Sequence, residues 1–83
     1  MTDSGHRLEL DLTGLKCPLP VLRTRRALRS LTPGATITVT CTDPLAAIDI
    51  PHLVLEEGDH LEDQERAGAA LRFTIRRHDP VGP

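Results

Sequence analysis

The chain has 83 residues, 39% of them hydrophobic and 27% charged, with Phe73 as its single aromatic. That length holds one small core, which must be assembled from Leu, Ile, Val and Ala, so we expect a single domain over 1–83. The formal net charge is -2, no apolar run reaches the length of a membrane span, and the first ten residues carry no apolar signal-like region; a soluble cytoplasmic protein with no membrane partner is the expectation.

The small net charge hides a segregation along the sequence. Between Leu12 and Thr42 there are five basic residues and no acidic one, whereas Asp43 to Glu65 holds eight acidic residues and no Lys or Arg. Such a split predicts faces that attract different partners, or each other in a homo-oligomer. Two cysteines, Cys17 and Cys41, stand outside any C-x-x-C or Cys/His metal spacing, which argues against a dithiol cycle, a zinc site and a structural disulfide.

Taken in order, Leu8-Glu9-Leu10-Asp11-Leu12 alternates as a strand with Leu8, Leu10 and Leu12 toward the core. From Pro18 to Leu31 the period becomes helical, with Val21, Thr24, Ala27, Leu28 and Leu31 on one side and Thr32-Pro33-Gly34 as the stop. Residues 35–41 alternate again, with Ile37, Val39 and Cys41 on the apolar phase. Thr42-Asp43-Pro44 reads as a second helix start with Asp43 as N-cap and Pro44 at N1, and Pro51 is expected to interrupt that helix before a short piece over 52–57. Residues 59–65 read as a polar edge strand, 66–69 as a turn, and Leu71, Phe73 and Ile75 mark a last strand before a loose tail over 78–83. The order β-α-β-α-β-β, with one polar face on each strand, predicts a two-layer α/β sandwich. Its mixed four-stranded sheet carries both helices on one face.

The chemistry concentrates in Thr13-Gly-Leu-Lys-Cys-Pro-Leu-Pro-Val-Leu22. Proline pushes its predecessor out of the helical region, so Cys17 is expected as N-cap, with Pro18 at N1 and Pro20 at N3, where neither lacks a needed N–H. Only the Leu19 N–H then remains to point at Cys17 Sγ. The helix dipole, Lys16 and the arginines of the helix favour thiolate, and Gly14 allows a sharp turn that leaves Cys17 on an exposed rim. This is the environment of a nucleophilic cysteine. The competing reading is plain packing, since cysteine is among the most buried residue types. No His-plus-Asn/Asp set can be placed beside Cys17, so a protease-like dyad has no support.

The run Asp11-x-x-Gly14-x-x-Cys17-Pro18-x-Pro20, the pair Arg25-Arg26, Pro33-Gly34, Asp43-Pro44 and Asp49-Ile50-Pro51 together resemble the TusA/SirA-like sulfur carrier family. The resemblance spans roughly residues 8–77, taken as the core between flexible termini. It implies a two-layer sandwich and a sulfur carrier, a sulfurtransferase-type relay protein rather than a conventional turnover enzyme. Cys17 would hold a persulfide, with Gly14, Pro18 and Pro20 as its frame and no separate cofactor. A cysteine desulfurase or rhodanese-type donor would load it. An acceptor protein in tRNA thiolation, molybdenum-cofactor maturation or sulfur oxidation would unload it. Many members of the family have a basic residue at the position of Ile48 and an aromatic or cysteine near Leu53 and Val54, from which this chain departs.

On a helical wheel Arg23, Arg25, Arg26 and Arg29 spread opposite Val21, Leu28 and Leu31, and Leu19 and Leu22 fall on the same outward side. With Lys16 they form a candidate partner-docking surface: a small apolar spot ringed by positive charge. An RNA-binding or regulatory module using this helix is the alternative function, weakened by the single aromatic and the negative total charge, so direct nucleic-acid binding is disfavoured. A thiol redox sensor at Cys17 is a third reading that nothing in the spacing demands. Cys41 reads as core. His6, His52, His60 and His78 have no metal-ligand spacing, and the acidic run over 56–65 lacks a calcium-loop pattern, so no metal site is expected.

Overall fold

The computed structural model describes residues 7–79. β1 (Arg7–Leu12), α1 (Leu19–Ser30), β2 (Thr36–Cys41), α2 (Ala46–Glu57), β3 (His60–Ala67) and β4 (Ala70–Arg76) follow in the expected β-α-β-α-β-β order. The sheet runs β1-β2-β4-β3. β1 and β2 are parallel, joined by the α1 crossover, while β4 pairs antiparallel with both β2 and β3. The sheet is therefore mixed, with two helices on one face. Alternation decides which face: Ile37, Val39 and Cys41 of β2 and Leu71, Phe73 and Ile75 of β4 are buried beneath Leu28, Ile50, Leu53 and Val54 of the helices.

Several local expectations need correction. Leu8 lies in register with Ile37 on the apolar face but is 53% exposed, β1 being an edge strand. Asp43 does not cap α2, which begins three residues later with Leu45 in the capping place. The Asp43 carboxylate instead accepts the Leu45 N–H at 3.0 Å and a bond from another loop, and a hydrogen-bonded turn over residues 43–46 leads into the helix. Pro51 does not interrupt α2, which is continuous over Ala46–Glu57. Loss of the Pro51 N–H costs the helix one rung, but Ile50, Leu53 and Val54 on either side of it are all packed in the core, so burial holds the two turns in line.

The C-terminus of α2 is a Schellman cap. Gly58, at φ 76°, donates its N–H to Leu55 O at 3.1 Å, and the Asp59 N–H reaches Val54 O at 3.0 Å. β3 is the polar edge strand expected, two residues longer at its far end, with a register shift between Leu61 and Asp63 that breaks the regularity of an exposed edge. The expectations about the N-terminal segment before residue 7 and the end of the tail after residue 79 fall outside the described residues.

Part of the charge segregation is satisfied within the molecule. Arg29 of α1 forms a two-pronged pair with Glu57 of α2, both contacts at 3.0 Å, and Arg25 reaches Glu57 at 3.9 Å and Glu56 at 4.0 Å. On the sheet Arg72 pairs with Glu65 at 3.4 Å and Arg76 with Glu62. The basic and acidic stretches are thus partners within the fold as much as opposing faces.

Candidate functional site at Cys17

Because β1 and β2 are adjacent and parallel, the loops that leave their carboxyl ends lie side by side, and both lead into helices. That is where open α/β sheets gather functional groups. The first loop carries Gly14 to Pro18 and the second Thr42 to Leu45. Gly14 sits at φ 84°, a left-handed conformation that a side chain resists, and its N–H donates to Thr42 Oγ1 at 2.9 Å. The Cys17 N–H donates to Asp43 Oδ2 at 2.6 Å. Two side chains of the second loop therefore hold the backbone of the first.

Cys17 is exposed at this junction, as the rim position requires. Its place in the helix start differs from expectation. α1 begins at Leu19 with Pro18 in the capping place, after a cis Cys17-Pro18 peptide bond, so Cys17 precedes the cap and Pro20 is the second helical residue. The Leu19 N–H points not at sulfur but at Lys16 O, at 2.8 Å. The polar partner of the thiol is across the groove: Cys17 donates to Asp49 Oδ2 of α2 over 3.8 Å.

This changes the electrostatics. The expectation of a thiolate favoured by the helix dipole and the arginines is overturned: partial loss of hydration, then the charges of Asp49 and Asp43, hold the Cys17 thiol above its ordinary value of 9.0. Asp43 itself is held below the usual carboxylate range by the N–H groups of Leu45 and Cys17, with Lys16 adding to the effect, and so stays charged beside the thiol. Cys41 is fully buried, and burial, with a smaller contribution from Asp43, pushes its thiol up to about 11. It packs opposite Leu12 in the sheet, as its apolar phase predicted.

On the α2 side of Cys17 lies a shallow groove of about 260 Å³, with Pro18, Val21 and Leu53 as apolar lining and Asp49, His52 and Glu56 along its α2 wall. On the other side of α1 the expected docking residues divide. Leu19 and Leu22 are 41% and 48% exposed, beside the exposed Lys16, Arg23 and Arg26. Among the described residues Arg23 and Arg26 form no ion pair, whereas Arg25 and Arg29 turn toward α2. No group of three or more His, Cys, Asp or Glu among the described residues could hold a metal ion, and no described helix is long and apolar enough to cross a membrane.

Sequence reasoning named Asp43 for its cap and Asp49 only within a motif, and missed that both face Cys17 from positions 26 and 32 residues away. Thr42, His52 and Glu56 were missed as neighbours too. The available signal was the parallel β-α-β unit, which brings the ends of β1 and β2 together.

The profile described as Sulfurtransferase TusA matches residues 8–77, nearly all of the chain. The chain belongs to the TusA family. Among similar proteins, a sulfur carrier protein TusA from Pseudomonas paraeruginosa is 41% identical over 71 residues, covering 84% of this chain and 90% of its own. One from Pseudomonas entomophila is 36% identical over 77 residues, covering 93% and 96%. One from Allochromatium vinosum is 33% identical over 69 residues, covering 83% and 91%. Among solved structures, the SirA-like protein from Desulfitobacterium hafniense superposes with a TM-score of 0.75 at 25% identity, over 87% of this chain and 99% of that one. The family match over residues 8–77 includes both loops of the Cys17 junction.

Proposed function

We propose that the protein is a cytoplasmic sulfur carrier that takes up sulfane sulfur as a persulfide on Cys17 and relays it to an acceptor protein. A cysteine desulfurase or rhodanese-type enzyme is the donor, and tRNA thiolation, molybdenum-cofactor maturation and sulfur oxidation are the acceptor pathways such a carrier serves. The observation that carries the reading is the exposed Cys17 of the Cys-Pro-Leu-Pro run, fixed by backbone hydrogen bonds at the junction of two loops in a TusA-family fold. A carrier has to present its sulfur to two different enzymes. An exposed rim does that, and an enclosed pocket would not.

In loading, Cys17 sulfur attacks the outer sulfur of the donor's cysteine persulfide. A new S–S bond forms at Cys17, the donor's S–S bond breaks with its electron pair left on the donor cysteine, and the Cys17 proton passes to that leaving sulfur. The products are a Cys17 persulfide and a donor thiol, with no net oxidation or reduction. Unloading repeats the exchange at the acceptor.

The docking surface in this reading is Leu19 and Leu22 with Lys16, Arg23 and Arg26. The alternative, RNA binding through α1, is weakened further because Arg25 and Arg29 are engaged by Glu56 and Glu57.

The test is intact mass after incubation with a cysteine desulfurase and cysteine. Wild type is expected to gain one sulfur atom, lost again on reduction, and Cys17→Ser to gain none. Absence of the gain with every sulfane-sulfur donor tried, or an equal gain in Cys17→Ser, would overturn the assignment.

A further inference from the structure

Cys17 stands among polar and charged groups from every element around it: Lys16 on its own loop, Asp43 on the β2–α2 loop, Arg25 on α1, and Asp49, His52 and Glu56 on α2. Their placement is uneven. Asp49 touches the sulfur at 3.8 Å and Asp43 binds the backbone N–H of the same residue at 2.6 Å. Of the remaining side chains, Arg25 reaches Glu56 and Glu57, His52 Nε2 lies 3.4 Å from Glu56, and Lys16 acts on Asp43. The groups closest to the sulfur are thus carboxylates, the reverse of the cationic surroundings that activate a nucleophilic cysteine.

We infer that Asp49 is a positioning residue that restrains the empty carrier: by accepting the Cys17 S–H it keeps the free sulfur protonated and aimed at the α1–α2 groove, so that outside a donor complex the thiol reacts slowly with small electrophiles. The inference rests on the reading of Cys17 as the sulfur-carrying atom. It matters for a carrier because an exposed thiolate would be consumed by oxidants and electrophiles between transfers. The restraint weakens on loading. In the persulfide the outer sulfur replaces the hydrogen on Cys17 Sγ, so the S–H that Asp49 accepts exists only in the empty state. Asp49 therefore acts on the empty state more than on the loaded one. Asp43 contributes charge too, but its carboxylate also holds the loop, which makes Asp49 the residue whose effect can be isolated.

The experiment is the pH dependence of alkylation of the free thiol by iodoacetamide, read at Cys17 by peptide mapping, in wild type, Asp49→Asn and Asp49→Glu. Asparagine keeps the shape and removes the charge. At neutral pH the Asp49→Asn protein is expected to react roughly fivefold faster, with its profile displaced toward lower pH, and Asp49→Glu to return toward wild type. Added salt should speed wild type more than Asp49→Asn, since it screens the charge that the variant lacks. A profile in Asp49→Asn that is unchanged or displaced upward overturns the inference, provided the variant shows the wild-type circular dichroism spectrum and melting curve. Sulfur loading, measured by mass on the same proteins, separates the two readings. If wild type takes up no sulfur while the alkylation profile still shifts, the carrier assignment falls and the Asp49 restraint stands. If loading succeeds and the profile does not shift, only the restraint falls.

Discussion

Thr24 is fully buried on the core side of α1, and its hydroxyl has no hydrogen-bond partner among the described residues. The helical period placed it there, but period alone says nothing about whether its oxygen finds a donor. A hydroxyl that leaves water without a partner costs about 1–3 kcal/mol, and valine has nearly the same shape without the oxygen. Thr24→Val is therefore expected to stabilise the protein by about 1 kcal/mol, read as a higher midpoint in urea with an unchanged slope. A lower midpoint would mean that the hydroxyl has a role which the present packing does not reveal. At the same scale Cys17 is the instructive case. Its exposure was legible from the prolines and Gly14, while its acidity was not, because the charges that set it belong to residues 26 and 32 positions away.

Among the elements, the contact between α1 and α2 carries the clearest electrostatic signature. Glu57 is held below its ordinary value of 4.5 chiefly by its hydrogen bonds from Arg29, against the opposing effect of burial, with the charges of Arg29, Arg25 and Arg77 adding to it. A carboxylate whose folded pKa is depressed stabilises the fold at pH above its unfolded value, and that contribution disappears as pH falls through the folded value. The helix pair is thus expected to loosen on acidification below about pH 4.5, together with the loop held by Asp43, whose pKa is also lowered. Glu57→Gln should melt at a lower temperature than wild type at pH 7, and the difference should shrink as pH falls below 4.5. Parallel melting curves across that range would remove Glu57 from the account. Pro51 belongs to this scale as well. Local propensity predicted a break, and the burial of Ile50, Leu53 and Val54 in one core overrode it.

For the molecule as a whole, the sequence pattern of charge suggested two faces, and folding used part of it for internal pairs. What remains free on α1 is narrower than the arginine count implied: Arg23 and Arg26 beside Leu19 and Leu22. If that patch docks the donor, then Arg23→Glu combined with Arg26→Glu should slow sulfur loading at low salt severalfold while leaving the alkylation rate of free Cys17 near wild type. The difference from wild type should shrink as salt is added, since association steered by exposed charge is screened over about 10 Å at 0.1 M. Loading kinetics at two ionic strengths measure this. Equal rates for variant and wild type at low salt would place the donor surface elsewhere on the molecule.

The amino-acid sequence by itself determined the element order, the face of each strand that enters the core, the mixed sheet with helices on one side, and the rim position of Cys17. These follow from period, from turn residues and from proline geometry, all of which act over a few neighbouring positions. Tertiary structure alone decided which groups surround the sulfur and which arginines stay free. The parallel pairing of β1 with β2 brings Thr42 and Asp43 against the cysteine loop, and the packing of α2 beside α1 brings Asp49 to Cys17 and Glu57 to Arg29. Electrostatic surroundings are set by distance in space, and in this fold the charges that matter to Cys17 come from the other half of the β-α-β-α unit.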